Sequence, residues 1–254
     1  MRTLRILLLH ELRSLAIAAP TYIAAGLFLS MMGFLYLMVL HEAKDTPLDL
    51  TPVQMYFSLF FVPLFLIVPL LTMRSFADEY RNGTLAALFS TPVRPAQVVF
   101  AKFASAYIFY LLLWALALLY PLVAWWMLGP LYSDPRLLDL PALIGGGVFV
   151  AASGAFYVAV GILASSLTRS TLVAALLTVC ALFFLVLLGF ALRFVPLDTF
   201  AWGETVLQIS DYFNTVGHLG VYLRGIADSQ PLFLFLSGTL LSLALASLAV
   251  ESKT

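Results

Sequence analysis

Apolar residues fill six long stretches of the chain, and the charged residues lie in the segments between them. None of the stretches contains Asp, Glu, Lys, Arg or His, and each is about 19 to 26 residues long. A helix of that length crosses the hydrocarbon core of a bilayer, which is about 30 Å thick. The pattern therefore predicts an all-α, polytopic membrane protein with six transmembrane helices. The predicted spans are 22–40, 55–73, 104–128, 142–167, 171–192 and 232–250.

The first 19 residues show helical periodicity instead of a continuous apolar run. The cationic side chains fall on one arc of a helix: Arg2, Arg5, His10 and Arg13. The leucines occupy the opposite arc: Leu4, Leu7, Leu8, Leu12 and Leu15. This arrangement predicts a basic amphipathic helix in the headgroup plane, with an ordinary solvated helix end as the alternative. Glu11 interrupts the apolar arc, so we expect it to meet a partner group there.

The Lys and Arg residues between the spans predict the orientation, because these residues are enriched in cytoplasmic segments close to the membrane. With the N-terminus inside, the inner segments hold nine of the 13 Lys and Arg residues and the outer segments hold four. An even number of spans returns the C-terminus to the same side. The sequence thus predicts a multi-pass protein of the cell (inner) membrane with both termini in the cytoplasm.

The inner segment 74–103 has the pattern of a compact hairpin. Its first half is a short helical pattern, and Pro92 and Pro95 then disfavour helix in the residues that precede them. Pro95 suits the first turn of a second short helix that leads to Lys102. Leu85 and Leu88 add an apolar face to this charged segment. We expect such a hairpin to dock a cytoplasmic partner protein.

The outer segment 193–230 is long but rich in apolar and aromatic residues, so it is not a plain solvated linker. Apolar residues recur at intervals of three to four: Val206, Ile209, Phe213, Val216, Leu219 and Leu223. This spacing predicts interfacial or re-entrant helices packed against protein or headgroups. A structural lid and a gate for cargo are both open readings of this segment.

Glycines and prolines inside the spans predict close helix approach and kinks. The fourth span holds Gly145-Gly146-Gly147 and Ser153-Gly154, and the second holds Pro63 and Pro69. Small side chains let neighbouring backbones come together, and proline removes one helical hydrogen bond. Packing is the simpler function of these small-residue faces, and a translocation path is the alternative.

Composition agrees with a membrane protein and narrows the classes of function. The chain is 63% hydrophobic and 10% charged, whereas soluble domains average roughly 45–50% and 25%. The formal net charge is zero, so nothing indicates nucleic acid as a partner. The single Cys180 excludes a disulfide within the chain.

The predicted spans carry none of the groups that an ion-coupled carrier or an intramembrane enzyme requires. None of the three lysines, Lys44, Lys102 and Lys253, follows a glycine, which excludes a phosphate-binding loop of the Gly-Lys-Ser/Thr type. All three histidines lie outside the spans. We therefore predict no catalytic residues and no metal site, and we expect any energy source to reside on another chain.

Three segments of the chain carry a resemblance to a known family. The entry segment reads His10-Glu11-Leu12-Arg13-Ser14, followed by Pro20-Thr21-Tyr22. The hairpin contains Glu79-Tyr80-Arg81-Asn82-Gly83-Thr84-Leu85, Leu88, Pro92-Val93 and Lys102, and the last outer loop contains His218 and Arg224-Gly225-Ile226-Ala227-Asp228. With these segments the chain resembles the permease subunits of the ABC-2 type exporter family, especially those of the gliding-motility type, and the hairpin is the most specific part.

This resemblance implies a single ABC-2 type transmembrane domain over residues 1–254. It also implies that two permeases associate and that a cytoplasmic ABC ATPase dimer binds ATP and Mg, while this chain binds no cofactor. The second permease would be another copy or a related chain, and the gliding-motility group adds a membrane-anchored protein with a large outer domain. The implied parts are the helix 1–19, spans 22–73, the coupling hairpin 74–103, spans 104–192, the outer loop 193–230 and span 232–250.

The resemblance also assigns roles to individual residues. The implied ATPase-coupling residues are Asp78, Glu79, Arg81, Gly83, Thr84, Leu85, Leu88, Pro92 and Lys102. The candidate outer gate consists of His218, Arg224 and Asp228. Glu79 and Arg81 are the expected polar contacts of the ATPase.

Three classes of function stay open at this point. The first is the transporter subunit, and the second is a mechanical transmitter that passes ATPase strokes to an outer protein without moving cargo. An intramembrane enzyme or channel is disfavoured by the lack of buried catalytic groups. A neighbouring ATPase gene would separate the first two from the third, and cargo-stimulated ATP hydrolysis would separate the first from the second. The sequence does not identify the cargo.

Overall fold

The computed structural model describes residues 2–45, 50–84, 94–132, 138–191, 211–226 and 228–253. Within these ranges every regular element is an α-helix, which confirms the all-α prediction for the described part of the chain. The helices are α1 (Arg2–Ile17), α2 (Ala19–Asp45), α3 (Pro52–Ser58), α4 (Phe61–Thr72), α5 (Ala77–Asn82), α6 (Pro95–Ala117), α7 (Leu119–Tyr132), α8 (Leu140–Leu167), α9 (Thr171–Ala191), α10 (Thr215–Leu223) and α11 (Ser229–Glu251).

Within the described ranges, five helical segments are long and apolar enough to cross a membrane, which confirms a polytopic membrane protein. They are Ala19–Glu42, Phe61–Asn82, Pro95–Leu128, Leu140–Leu167 and Ser229–Glu251. The predicted fifth span corresponds to α9, in which Thr171–Leu187 forms a shorter apolar helix. The count of six spans therefore remains a prediction.

The second predicted span, 55–73, contains two helices, α3 and α4, with a break between them. Leu59 and Phe60 separate α3 from α4, and the N–H group of each donates to a carbonyl only three residues earlier. Pro63 lacks the N–H that would bond to the Leu59 carbonyl, which accounts for the break. The kink that the prolines of this span predicted is thus found next to Pro63.

The third predicted span, 104–128, is also interrupted, at Leu118 between α6 and α7. Pro121 has no N–H to donate to the Ala117 carbonyl, the fourth residue before it. The Tyr56 hydroxyl donates to that carbonyl instead, at 3.0 Å. A side chain from α3 therefore satisfies the polar group that the proline leaves open inside the apolar core.

Helix α6 begins at Pro95, as the proline pattern predicts, but it continues to Ala117 without a break. The prediction of a separate short helix that ends at Lys102 is therefore wrong. The C-terminal part of the inner segment, from Pro95, and the start of the third predicted span therefore form one continuous helix.

Helix α8 lies at the centre of the packing, against α3, α4, α5, α6, α9, α10 and α11. Of the 18 consecutive residues of α8 that are most apolar, 61% are buried inside the protein. The corresponding share is 28% for the spans at Ala19–Glu42 and Ser229–Glu251. A Cβ atom on Gly146 would lie 2.7 Å from the Phe57 ring, and one on Gly154 would lie 2.1 Å from the Tyr110 ring. The predicted close approach is confirmed at these glycines, whereas nothing lies within 4 Å at Gly147.

Candidate functional site

A buried lysine joins three helices at the predicted cytoplasmic end of the molecule. Lys102 of α6 is only 4% exposed, and its Nζ donates to Glu11 Oε1 of α1 at 2.8 Å and to Glu79 Oε1 of α5 at 2.6 Å. Glu11 thus meets a partner group on the apolar face of its helix, as its position in the pattern led us to expect. We call Lys102, Glu11 and Glu79 the lysine clamp.

The lysine clamp sits in an environment where an unpaired charge would be costly. The Phe76 ring lies 5.4 Å from Lys102 Nζ and covers one side of the ammonium group. Removing an ion from water costs several kcal/mol, and only short charge-assisted hydrogen bonds offset that cost. The two carboxylates provide such bonds, so all three side chains depend on each other for their positions.

Ser165 of α8 holds the start of α5. Its Oγ accepts from the backbone N–H groups of Phe76 at 3.0 Å and Ala77 at 3.2 Å. The same hydroxyl donates to the Met73 carbonyl at 3.2 Å. The first N–H groups of a helix have no partner within the helix. A side chain from the central helix α8 therefore caps α5 from outside.

Replacing Ser165 with alanine is expected to destabilise the protein by about 1 to 2 kcal/mol, because two buried N–H groups lose their acceptor. Thermal unfolding of the purified protein in detergent measures this change. Ser166→Ala is the matched control, since the Ser166 hydroxyl donates only to the Leu163 carbonyl of its own helix at 2.7 Å. Equal melting temperatures for the two variants would contradict the capping role.

Lys253, just after α11, makes a second contact with α5. Its Nζ donates to the Ser166 carbonyl at 2.8 Å and lies 4.7 Å from the centre of the Tyr80 ring. Burial lowers the pKa of Lys253, and the nearby positive charge of Arg169 lowers it further. The C-terminal end of the last span is therefore fastened to both α8 and α5.

Three other hairpin residues that were predicted to couple to the ATPase are exposed: Arg81, Gly83 and Thr84. The Arg81 side chain is 61% exposed and pairs with Asp78 at 3.0 Å. Gly83 ends α5 in the left-handed conformation with φ 70°, and Thr84 Oγ1 donates to the Glu79 carbonyl at 3.5 Å. Leu85, Leu88 and Pro92, which were also predicted to couple to the ATPase, lie outside the described residues.

The N-terminal helix α1 packs against α6. Its leucine face is half-buried, while Arg5, His10 and Arg13 are exposed, so the two predicted arcs face protein and solvent respectively. The side chain of Arg2 lies outside the described part. The position of this helix at the membrane surface remains a prediction.

At the predicted outer end, the candidate gate residues make separate local contacts. His218 Nε2 lies 3.1 Å from the Tyr212 carbonyl, and Asp228 caps α11 by accepting from the N–H of Gln230 at 3.0 Å. Arg224 is exposed at the end of α10. A gating role for these residues stays a prediction.

A polar cluster at the predicted outer end was not predicted from the sequence. Asp139, the N-cap of α8, accepts from Thr51 Oγ1 at 3.0 Å and from Gln54 Nε2 at 3.1 Å. Gln54 Nε2 also donates to the Leu223 carbonyl at 3.2 Å. The Asp-Leu-Pro start of α8 is a recognisable cap signal, but its partners on α3 and α10 are distant in sequence.

The fold and its helical spans define a multi-pass membrane protein. A model of the family described as ABC-2 family transporter protein matches residues 44–250. The chain belongs to that family, which consists of the membrane permease subunits of ABC transporters. A comparison with curated proteins found no match.

Proposed function

We propose that this chain is the permease subunit of an exporter in the cell (inner) membrane and that a separate cytoplasmic ATPase drives it. In this proposal both termini are cytoplasmic, the segment 74–103 is the coupling hairpin, and ATP and Mg are bound by the ATPase. Two permease chains, either identical or related, would form the membrane part. The cargo is not specified by any feature of the chain.

The observation that carries this proposal is the way α5 is fastened to the rest of the protein. The lysine clamp joins it to α1 and α6, Ser165 joins it to α8, and Lys253 joins it to α11. Helix α1 leads directly into α2, and α6, α8 and α11 are themselves long apolar helices. A displacement of α5 would therefore reach several spans at once, as ATP-driven opening and closing requires.

The opposite edge of the hairpin supports docking of a partner. Residues 81–84 are exposed, with the Arg81 guanidinium at the surface and the chain turning at Gly83. On the face of α5 that packs against the spans, Glu79 is bound in the lysine clamp. On the exposed face of α5, Arg81 is available for contacts with another protein. We therefore propose Arg81 as the polar contact of the ATPase and Glu79 as the residue that fastens the hairpin to the spans.

Replacing Arg81 with glutamate is expected to lower co-purification of the ATPase roughly tenfold, because the change turns an attractive interface charge into a repulsive one. The protein itself should keep its stability, since Arg81 pairs only with Asp78 in an exposed i,i+3 contact. The measurement is the ratio of ATPase to tagged permease after affinity purification in mild detergent.

Arg224→Glu is the matched control for this experiment, because it reverses an exposed arginine at the opposite predicted end of the protein. It should leave the recovered ATPase unchanged. An Arg81→Glu protein that retains the full amount of ATPase would argue against this docking edge. Recovery of the chain without any ATPase, even in the wild type, would contradict the proposed function as a whole.

A further inference from the structure

A second surface at the predicted cytoplasmic end has a different chemistry from the hairpin. It is the exposed face of α1, which mixes the basic side chains Arg5, His10 and Arg13 with large apolar side chains. Ile6 is 61% exposed, Leu9 56% and Ile17 69%. Because the opposite face of α1 already packs on α6, these apolar side chains have no role in the core of this chain. A surface of this kind suits the boundary between headgroups and acyl chains.

A cleft opens at the end of this face, where α1 meets α2. It has a volume of about 460 Å³ and is lined by His10, Arg13, Ser14, Ile17 and Ala18. That volume lies within the roughly 300 to 1,000 Å³ typical of small-molecule sites. The polar side chains precede the apolar ones along the helix, so the cleft offers a cationic part next to an apolar part.

Hydrogen bonds fix the turn between α1 and α2, which adjoins the cleft. Ala18 lies between the two helices, its N–H donates to the Ser14 carbonyl at 3.2 Å, and its carbonyl accepts from the Thr21 N–H at 3.0 Å. The Tyr22 hydroxyl donates back to the Ala16 carbonyl at 2.6 Å. An exposed tyrosine next to an apolar span is typical of the membrane interface. The cleft is thus preformed and lies where a span enters the bilayer.

Arg13 carries the positive charge of the cleft. Among the described residues neither Arg13 nor His10 takes part in an ion pair, whereas Glu11 on the same helix turns inward to Lys102. The positive-charge count predicts that this end faces the cytoplasmic leaflet, whose surface carries anionic lipids. Charge complementarity therefore favours an anionic occupant with an acyl tail.

We propose that the cleft at the C-terminal end of α1 binds the phosphate headgroup of an anionic phospholipid. Arg13 and Ser14 contact the phosphate oxygens, with His10 beside them, and Ile17 packs against the first part of the acyl chain. An arginine guanidinium offers paired N–H donors that match a phosphate group. This proposal rests on the cytoplasmic orientation of the proposed function but not on transport, because it concerns the lipid around the protein and not its cargo or its ATPase.

Native mass spectrometry of the full chain in mild detergent tests the proposal. The protein is titrated with dioleoylphosphatidylglycerol and, in parallel, with dioleoylphosphatidylcholine, and the bound lipid is counted. We expect phosphatidylglycerol to bind more tightly, and Arg13→Gln to lower its association constant about fivefold, the effect of one surface cation. Ser14→Trp should lower it as well, because it fills the cleft and leaves every charge in place.

Arg5→Gln is the matched control, since Arg5 lies on the same face but outside the cleft. An equal loss for Arg5→Gln and Arg13→Gln would show diffuse attraction to the helix and overturn the site. Equal binding of the two lipids would do the same. Complete displacement of the lipid by inorganic phosphate would assign the cleft to a free anion instead. Size-exclusion profiles like that of the wild type ensure that each variant is folded.

Discussion

Replacing Lys102 with methionine is expected to destabilise the protein by about 3 kcal/mol, because it leaves two carboxylates unpaired in a largely buried site. Methionine keeps most of the apolar stem and is only one heavy atom shorter than lysine, so the loss mainly reflects the charge. The side chains of Glu11 and Glu79 are 20% and 25% exposed, so the site borders water and the effect falls at the lower end of the range for buried ion pairs, although Glu79 Oε2 itself is buried. Thermal unfolding in detergent measures it.

Combining Lys102→Met with Glu11→Gln and Glu79→Gln separates the charge from the packing. The triple variant should recover most of the lost stability, since replacing a complete buried ion network by neutral groups is often close to neutral. The triple variant should nevertheless couple less well to the proposed ATPase, because α1, α5 and α6 are no longer linked by charge. The rate of ATP hydrolysis by the purified complex should therefore be lower than with the wild-type permease. A triple variant as unstable as Lys102→Met would contradict this account, because removing the two unpaired carboxylate charges would then not restore the lost stability.

Each half of the lysine clamp left a signal in the sequence, but the pairing did not. Glu11 stood out as a carboxylate on an apolar helical face, and Lys102 as a cation just before an apolar span. They are 91 residues apart, and helical periodicity reports which face a residue occupies without naming the helix opposite. For the same reason, helical periodicity did not identify Lys102 as the partner of Glu79.

The anchors at Ser165 and Lys253 had no local signal at all. A serine near the end of a long apolar helix normally bonds to its own helix, as Ser166 does with Leu163. Ser165 instead caps α5, which belongs to a segment 89 residues away. Only the packing of α5 against α8 brings the donor and acceptor groups together.

Hydropathy located the spans because the bilayer demands long apolar helices, but it could not detect their interruptions. The breaks at Leu59–Phe60 and at Leu118 lie inside apolar runs, where every residue has the same preference for lipid. The prolines were the available signal, at Pro63 and at Pro121. Whether a proline bends or breaks a helix depends on a neighbour that can satisfy the open carbonyl, as Tyr56 does for Ala117.

Replacing Gly145 with alanine is expected to destabilise the protein by about 3 kcal/mol, at the upper end of the cost of overpacking. The new Cβ would lie 2.0 Å from the backbone oxygen of Tyr222. A backbone carbonyl cannot rotate aside as the Phe57 ring next to Gly146 can, so α10 would have to move away from α8. That movement would also strain the bond from Gln54 to the Leu223 carbonyl.

Gly147→Ala is the matched control two residues further along the same helix, where a Cβ would meet nothing within 4 Å. That variant should be neutral or more stable by up to about 1 kcal/mol, because alanine favours helix over glycine. The two substitutions add the same methyl group to the same helix, so the difference in their melting temperatures isolates the contact with α10. If both variants melted together, α8 and α10 would not approach each other as closely as the structure describes. A lower melting temperature for Gly145→Ala alone would show that Gly145 is required for α10 to pack against α8.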